Sequence, residues 1–416
     1  MSLDPVLLAR IQFAMTVGFH FIFPPISIGL AWFLVAIEGL GWRTGAPGYV
    51  RMGKFFARFL AITFAIGVAT GIFMEFQFGM NWAQYAKFVG DVFGAPLAIE
   101  AILAFFIEST FLGLYLFGRG KVSKGVHWFS ILMVAVGATL SAFWILVANS
   151  WQQTPTGYVF NPATGRAELA SFWEAVFSPS MLMRFFHVIT AALIAGAFFV
   201  AGISAYLLRR NGRDIAARKT LKIAVIAGLI FSVMELFPFG HHHAVQVAKY
   251  QPEKLAAFEG LFEGGPNAPL TLFGIPTSDH LIGAIRAPGL LSMLVGFRSD
   301  TVVRGLNEFP PDERPPVVLP FIGFHLMVGL GMLFIAMTAW GTFRLWRGKL
   351  WDDQWFLRGL VLAIPLPVAA AQLGWIVTEV GRQPWVVYRL LRTKDAVSVT
   401  VSSNEILFSL VVFGLL

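Results

Sequence analysis

Apolar residues run for long stretches along most of this chain, and short polar segments separate the runs. The runs lie near 14–37, 55–77, 95–117, 127–149, 184–208, 220–239, 318–342 and 356–378. A helix needs about 20 mostly apolar residues to cross a hydrocarbon core. The pattern therefore predicts an all-α integral membrane protein with eight crossings. A ninth run begins near Ile406 and reaches Leu416, too short to span; the expectation is a truncated ninth helix of a longer protein. The longest connection runs from Gly240 to Val317 and carries Pro252, Pro266, Pro269, Pro276, Pro288, Pro310, Pro311, Pro315 and Pro316. A connection of that length is usually functional. The chain divides into residues 1–239 with helices one to six, 240–317 as this connection, and 318–416 with helices seven and eight and the start of a ninth.

Composition narrows the chemistry. Only 13% of residues are charged and 57% are hydrophobic, against about 25% charged in soluble domains. There are no cysteines, which excludes disulfides, thiolate chemistry, cysteine-ligated iron–sulfur clusters and covalent c-type haem. A metal or haem must then be held by His, Met or carboxylate.

The net charge of +8 invites a nucleic-acid partner, but the distribution argues against one. Cations concentrate in alternate short loops: Arg43, Arg51 and Lys54; Arg119, Lys121 and Lys124; Arg209 to Lys222; Arg344, Arg347 and Lys349. The positive-inside rule makes these loops cytoplasmic and puts the N-terminus and the long connection outside. The segment with Arg382, Arg389, Arg392 and Lys394 dissents, and its cations suggest a binding role. No small-residue cleavage site follows the first apolar run, so that run is expected to stay in the mature protein.

Ionisable residues inside a membrane are costly, so they are usually paired, ligated or on a proton path. His20, Glu75, Glu100, Glu108, His187, Glu235, His325 and Glu379 fall inside or at the ends of the runs. Topology puts His20, Glu100, Glu108, His187, Met327 and Glu379 toward the outside, at one depth on five helices. That is the pattern of a buried cofactor site. Each has a plainer reading too. A lone membrane His is often a hydrogen-bonded packing residue, and a lone Met fills apolar gaps. Glu100 and Glu108 lie about two turns apart on similar faces and suit either proton relay or interhelical hydrogen bonding. His241, His242 and His243 read as a solvated extended segment, whose alternating directions disfavour one shared metal ion.

Longer motifs carry a resemblance. "RIQFAMTVGFHFIF" from Arg10, "MEFQFGMNW" from Met74, "GAPLAIEAILAFFIEST" from Gly94, "LSAFWILVANSWQQTP" from Leu140 and "GRQPW" from Gly381 resemble the signatures of cytochrome bd quinol oxidase subunit I, in the family's order. The resemblance implies two four-helix bundles plus a peripheral ninth helix. It implies two haem b groups, one low-spin and one high-spin, and one haem d. His187 and Met327 match the low-spin haem ligands, and His20 and Glu379 match the ligands of the two high-spin haems. Arg382 of "GRQPW" falls among the cofactor-binding positions. Glu100 and Glu108 match the family's proton path, and Trp375 matches a tryptophan between haems. Gln251, Lys254 and Glu259 in "YQPEKLAAFEG" match positions linked to quinol oxidation, in the shorter of the family's two loop types. His325 stands where several relatives have Arg; two residues from Met327, it points away from the face Met327 would use.

The implied activity is a quinol:oxygen oxidoreductase of a bacterial cytoplasmic (inner) membrane. It would oxidise membrane quinol outside and reduce dioxygen to water with protons from inside, building a gradient without pumping. Subunit II and a small accessory subunit are the implied partners. A proton-coupled transporter would use intramembrane Glu and His equally well, and a haem b electron carrier would need only His187 and Met327.

Overall fold

The computed structural model describes residues 4–415. Among them, eight helical runs are long and apolar enough to cross a membrane: Pro5–Thr44, Pro47–Met80, Ala83–Phe117, Lys124–Gln153, Met181–Arg210, Ile215–Tyr250, Val318–Trp346 and Gln354–Val380. They are called spans 1 to 8 below. The protein is thus a multi-pass membrane protein, helical wherever lipid would leave backbone groups without water.

Several spans are longer and less regular than the apolar runs suggest. Span 1 is two helices, Pro5–His20 and Phe23–Thr44. Pro24 and Pro25 sit in the first turn of the second piece, where a missing N–H costs least. Span 3 contains a π-helical turn, Glu100–Phe105, and span 6 contains another, Glu235–Gly240, around Pro238. Span 8 is split into Gln354–Leu362 and Leu366–Val380, with Pro365 capping the second piece. The final apolar segment forms a short helix, Ser403–Leu415, which lies along the first piece of span 1, where Gln12 donates to Ser409 Oγ at 3.0 Å.

Span 1 packs on spans 2, 4 and 5; span 3 on span 4; span 5 on spans 6 and 8; and span 7 on spans 6 and 8. Spans 1 and 5 approach closely at Gly29 and Gly196, where a Cβ on Gly29 would lie 2.2 Å from Ala192 O. Small residues allow such backbone contact between membrane helices. At the opposite end from the long connection, Glu38 is buried in span 1 and pairs with Arg119 and the Tyr115 hydroxyl.

The long connection is folded. Its path stays helical through His241–Tyr250 and Pro252–Glu259, then forms the antiparallel hairpin Leu270–Pro276 with Leu281–Ala287 and the helix Leu290–Gly296. Two smaller hairpins, Tyr158–Asn161 with Arg166–Leu169 and Trp385–Val387 with Leu391–Arg392, lie in other connections. The all-α expectation therefore holds for the spans and not for the connections.

Candidate active site

The ends of spans 4 and 8, the start of span 5 and the helix Pro252–Glu259 meet in a buried polar layer. The segment "ANSWQQT" closes span 4, and its amides face inward. Asn149 donates to Glu379 Oε1 at 3.0 Å and accepts from Arg184 Nη2 at 2.7 Å. Arg382 donates to Glu379 and to Gln152 Oε1, and Gln152 donates to the Tyr85 hydroxyl. Lys254 enters from the connection and donates to Gln153 Oε1 at 2.6 Å and Gln251 Oε1 at 3.0 Å. Gly381 leaves room for the lysine stem: a Cβ there would lie 3.1 Å from Lys254 Cγ.

Three cations, Arg184, Lys254 and Arg382, are thus buried to within 4% exposure. Buried charge must be paired, and Glu379 and Glu253 are the carboxylates whose charge Lys254 feels. Burial, reinforced by Arg184 and Arg382, holds the Lys254 ammonium well below the ordinary lysine value. Glu259 is buried nearby in sequence on the same short helix, and burial pushes its carboxyl up to about 8. The structure buries Gln251, Lys254 and Glu259, although the segment has the polar content of a surface helix.

The other sequence-derived residues form separate groups rather than one depth. His20 ends the first piece of span 1, at the break in mid-run and not near its start; its Nδ1 lies 3.0 Å from Thr70 Oγ1. Trp375 meets Phe21, beside that break, at 5.3 Å and a right angle. Gln372 donates to Gly18 O at 2.6 Å and ties span 8 to the same place. On span 5, His187 Nδ1 lies 3.0 Å from Glu235 Oε1, off the hydrogen-bond direction. The His243 ring is 5.0 Å from the His187 ring. Met327 lies against span 8, where a Cβ on Gly374 would stand 3.1 Å from its sulfur.

Glu100 and Glu108 do share a face of span 3. Eight α-helical residues overshoot two turns; the π turn that starts at Glu100, with its i→i+5 bonding, removes much of that overshoot. Glu100 accepts from Ser141 Oγ at 2.5 Å. Glu108 is 8% exposed, packed against Gly137, with no hydrogen-bond partner among the described residues. It lies nearer the Phe117 end of the span than the Ala83 end.

One expectation about the histidines changes. His241–His243 open a helix rather than an extended loop. The His241 and His242 rings meet edge-on at 5.4 Å beside Phe237, with His242 bonded to Pro238 O at 2.7 Å, while His243 turns away to meet His187. His325 faces two carbonyls, Phe321 O at 2.9 Å and Thr271 O at 3.0 Å. It fastens the hairpin to span 7.

Sequence reading passes over Arg184, although it stands in the same "MLMRFFHVIT" as His187. It also passes over Glu38 and the amides of span 4. The available signal was polar residues crowding one end of an apolar run.

Known proteins resemble this chain along nearly its whole length. Residues 8–416 match the family model for cytochrome bd terminal oxidase subunit I. The chain is 40% identical to cytochrome bd ubiquinol oxidase subunit 1 of Bacillus subtilis (strain 168), covering all of this chain and 90% of the relative. It is 35% identical to cytochrome bd-II ubiquinol oxidase subunit 1 of Escherichia coli (strain K12), over 98% and 92% of the two chains. The solved bd oxidase of Geobacillus thermodenitrificans superposes with a TM-score of 0.92 at 33% identity, covering 99% of this chain and 94% of that one. The chain belongs to the cytochrome bd terminal oxidase subunit I family.

Proposed function

We propose that this protein oxidises a membrane quinol and reduces dioxygen to water, as subunit I of a terminal oxidase complex in a bacterial cytoplasmic membrane. One observation carries the reading most directly: the connection delivers Lys254 into the buried layer that holds Arg184, Glu379 and Arg382. A substrate-facing loop and a cofactor-facing layer are then one structure.

The residues fit haem. His187 Nδ1, Arg184 Nε and Arg382 Nε are buried without hydrogen-bond partners among the described residues, and unsatisfied buried groups of this kind call for a ligand. The three buried cations suit the propionate carboxylates of such a group. Gly71 keeps the His20 ring face open, since a Cβ there would lie 3.2 Å from Cε1. On this reading His187 and Met327 hold a low-spin haem b, while His20 and Glu379 hold a high-spin haem b and a haem d. When bound, these groups carry electrons and offer an iron to dioxygen.

The chain's own residues do the rest. Gln251 and Lys254 orient the quinol head, and the Glu259 carboxylate accepts a proton from it. Trp375 keeps the space between the cofactors apolar. Glu108 and Glu100 move protons along span 3 toward the site of oxygen reduction. With the connection outside and Glu108 reached from inside, charge separates without pumping. The packing partners support two four-helix bundles, spans 1–4 and 5–8, with the last helix peripheral. Subunit II and a small accessory subunit complete the complex.

A reduced-minus-oxidised spectrum of the purified complex, with quinol-driven oxygen uptake, tests this. Haem b plus a red-absorbing chlorin is expected. Haem b alone would leave an electron carrier, and no haem would leave a transporter.

A further inference from the structure

A second constellation lies beside the polar layer, at the same end of the spans, and Gln383 joins the two by donating to Glu379 O at 3.2 Å. The start of span 1, the lead-in to span 7 and the segment following span 8 enclose a cavity of about 280 Å³ lined by Arg10, Arg314, Arg392 and Lys394, with Gln383 and Thr393. This segment is the one whose cations break the alternate-loop pattern, so its charge needs a reason other than topology.

The four cations are held in two ways. Arg314 is fixed by Phe309 O, Asn307 O and Asn307 Oδ1. Arg392 bonds Asp312 Oδ2 at 2.6 Å and lies over the Trp385 ring. These two form rigid walls. Arg10 and Lys394 are exposed and make no hydrogen bond or ion pair among the described residues. Asp312 is the acid paired into the group, and Arg392 and then Lys394 hold its carboxyl below the usual range. One carboxylate against four cations leaves a net positive cavity.

We propose that this cavity binds the phosphate group of an anion, with Arg10 and Lys394 closing on it and Arg314 and Arg392 as fixed charges behind. Guanidinium groups suit phosphate oxygens geometrically, and the ammonium adds a mobile charge. Basic pockets between membrane helices take phospholipid headgroups in this way, and Arg10 stands in the second turn of span 1, near its terminal end. A soluble phosphate presents the same chemistry.

The test uses the detergent-purified oxidase complex in three forms: wild type, Arg10→Gln/Lys394→Gln, and Arg43→Gln/Lys54→Gln, which removes equal charge from the other end. The haem absorption spectrum checks assembly of each. Lys394→Gln alone repeats the measurements if the double variant does not assemble. Co-purifying phospholipid is extracted and quantified by mass spectrometry. The Tm of delipidated complex is then measured with and without inorganic phosphate. A lipid ligand predicts a loss on the order of tenfold in the cavity variant only. A soluble ligand predicts equal lipid, with phosphate raising the Tm of wild type and control but not of the cavity variant. Equal lipid content and equal phosphate response in all forms would overturn the proposal.

Discussion

Lys254 donates to Gln153 Oε1 at 2.6 Å across 101 residues of chain, joining the connection to the end of span 4. Both partners are buried, and the acceptors that hold the lysine are neutral amides. A cation without a carboxylate in direct contact is available to a further polar group. Lys254→Ala should therefore lower quinol-driven turnover roughly tenfold to a hundredfold, the worth of a hydrogen bond to a charged group. Haem content should persist. Unchanged turnover and unchanged apparent quinol affinity would remove Lys254 from the quinol site.

Glu259 offers a pH test. Its carboxyl is pushed up to about 8 by burial, so near neutral pH it is mostly protonated and cannot accept a proton. Quinol turnover should rise as pH climbs through about 8 and the carboxylate forms. Glu259→Gln should flatten that limb of the profile and lower the plateau, with the haem spectrum intact. A limb of the same midpoint in the variant would assign it to another group.

The spans were legible because lipid enforces long apolar helices, and the ligand candidates because a charge in such a helix is conspicuous. The breaks were harder to read. The π turns at Glu100 and Glu235 leave hydropathy unchanged, yet they reset the face each carboxylate presents. Arg184 was hidden by its neighbours: one cation among Met and Phe resembles a span end. Burial of the helix 252–259 was illegible, since "PEKLAAFE" has the polar content of a surface helix and only tertiary packing encloses it. His325 shows the same limit, because its partner Thr271 is 54 residues away.

His325 should matter for the loop and not for the cofactors. Its link to Thr271 O fastens the hairpin to span 7. His325→Ala removes about 1 kcal/mol of hydrogen bonding. Opening of the hairpin, read as its rate of proteolytic cleavage, should rise about fivefold. The haem spectrum should keep its amplitude. Equal cleavage rates in the two proteins would show that the link is not holding the hairpin.

His187→Ala and Met327→Leu test the low-spin site. Met327→Leu keeps the volume against Gly374 and removes only the sulfur. Each variant should lose the low-spin haem signal while the chain stays in the membrane. A variant retaining that signal at wild-type amplitude would strike its residue from the ligand set.

Glu108 gives the sharpest distinction between chemistry and packing. It is buried on span 3 against Gly137, and no hydrogen bond among the described residues accounts for its charge. Its neighbour along the helix is Glu100, whose carboxylate meets Ser141 on span 4. A carboxylate held only for packing would be replaced well by Gln, which has nearly its shape and adds hydrogen-bonding capacity. A relay would fail, because Gln cannot take and give a proton. Glu108→Gln should therefore slow oxygen consumption on the order of a hundredfold, the lower range for removing an acid–base group. Expressing the rate per haem d separates loss of turnover from loss of cofactor. Gly137→Ala supplies the contrast: its Cβ would lie 2.9 Å from Glu108 N, so it should disturb assembly while the surviving complexes keep their rate per haem d. Near-native turnover per haem d in Glu108→Gln would reject the relay and leave Glu108 as a packing residue.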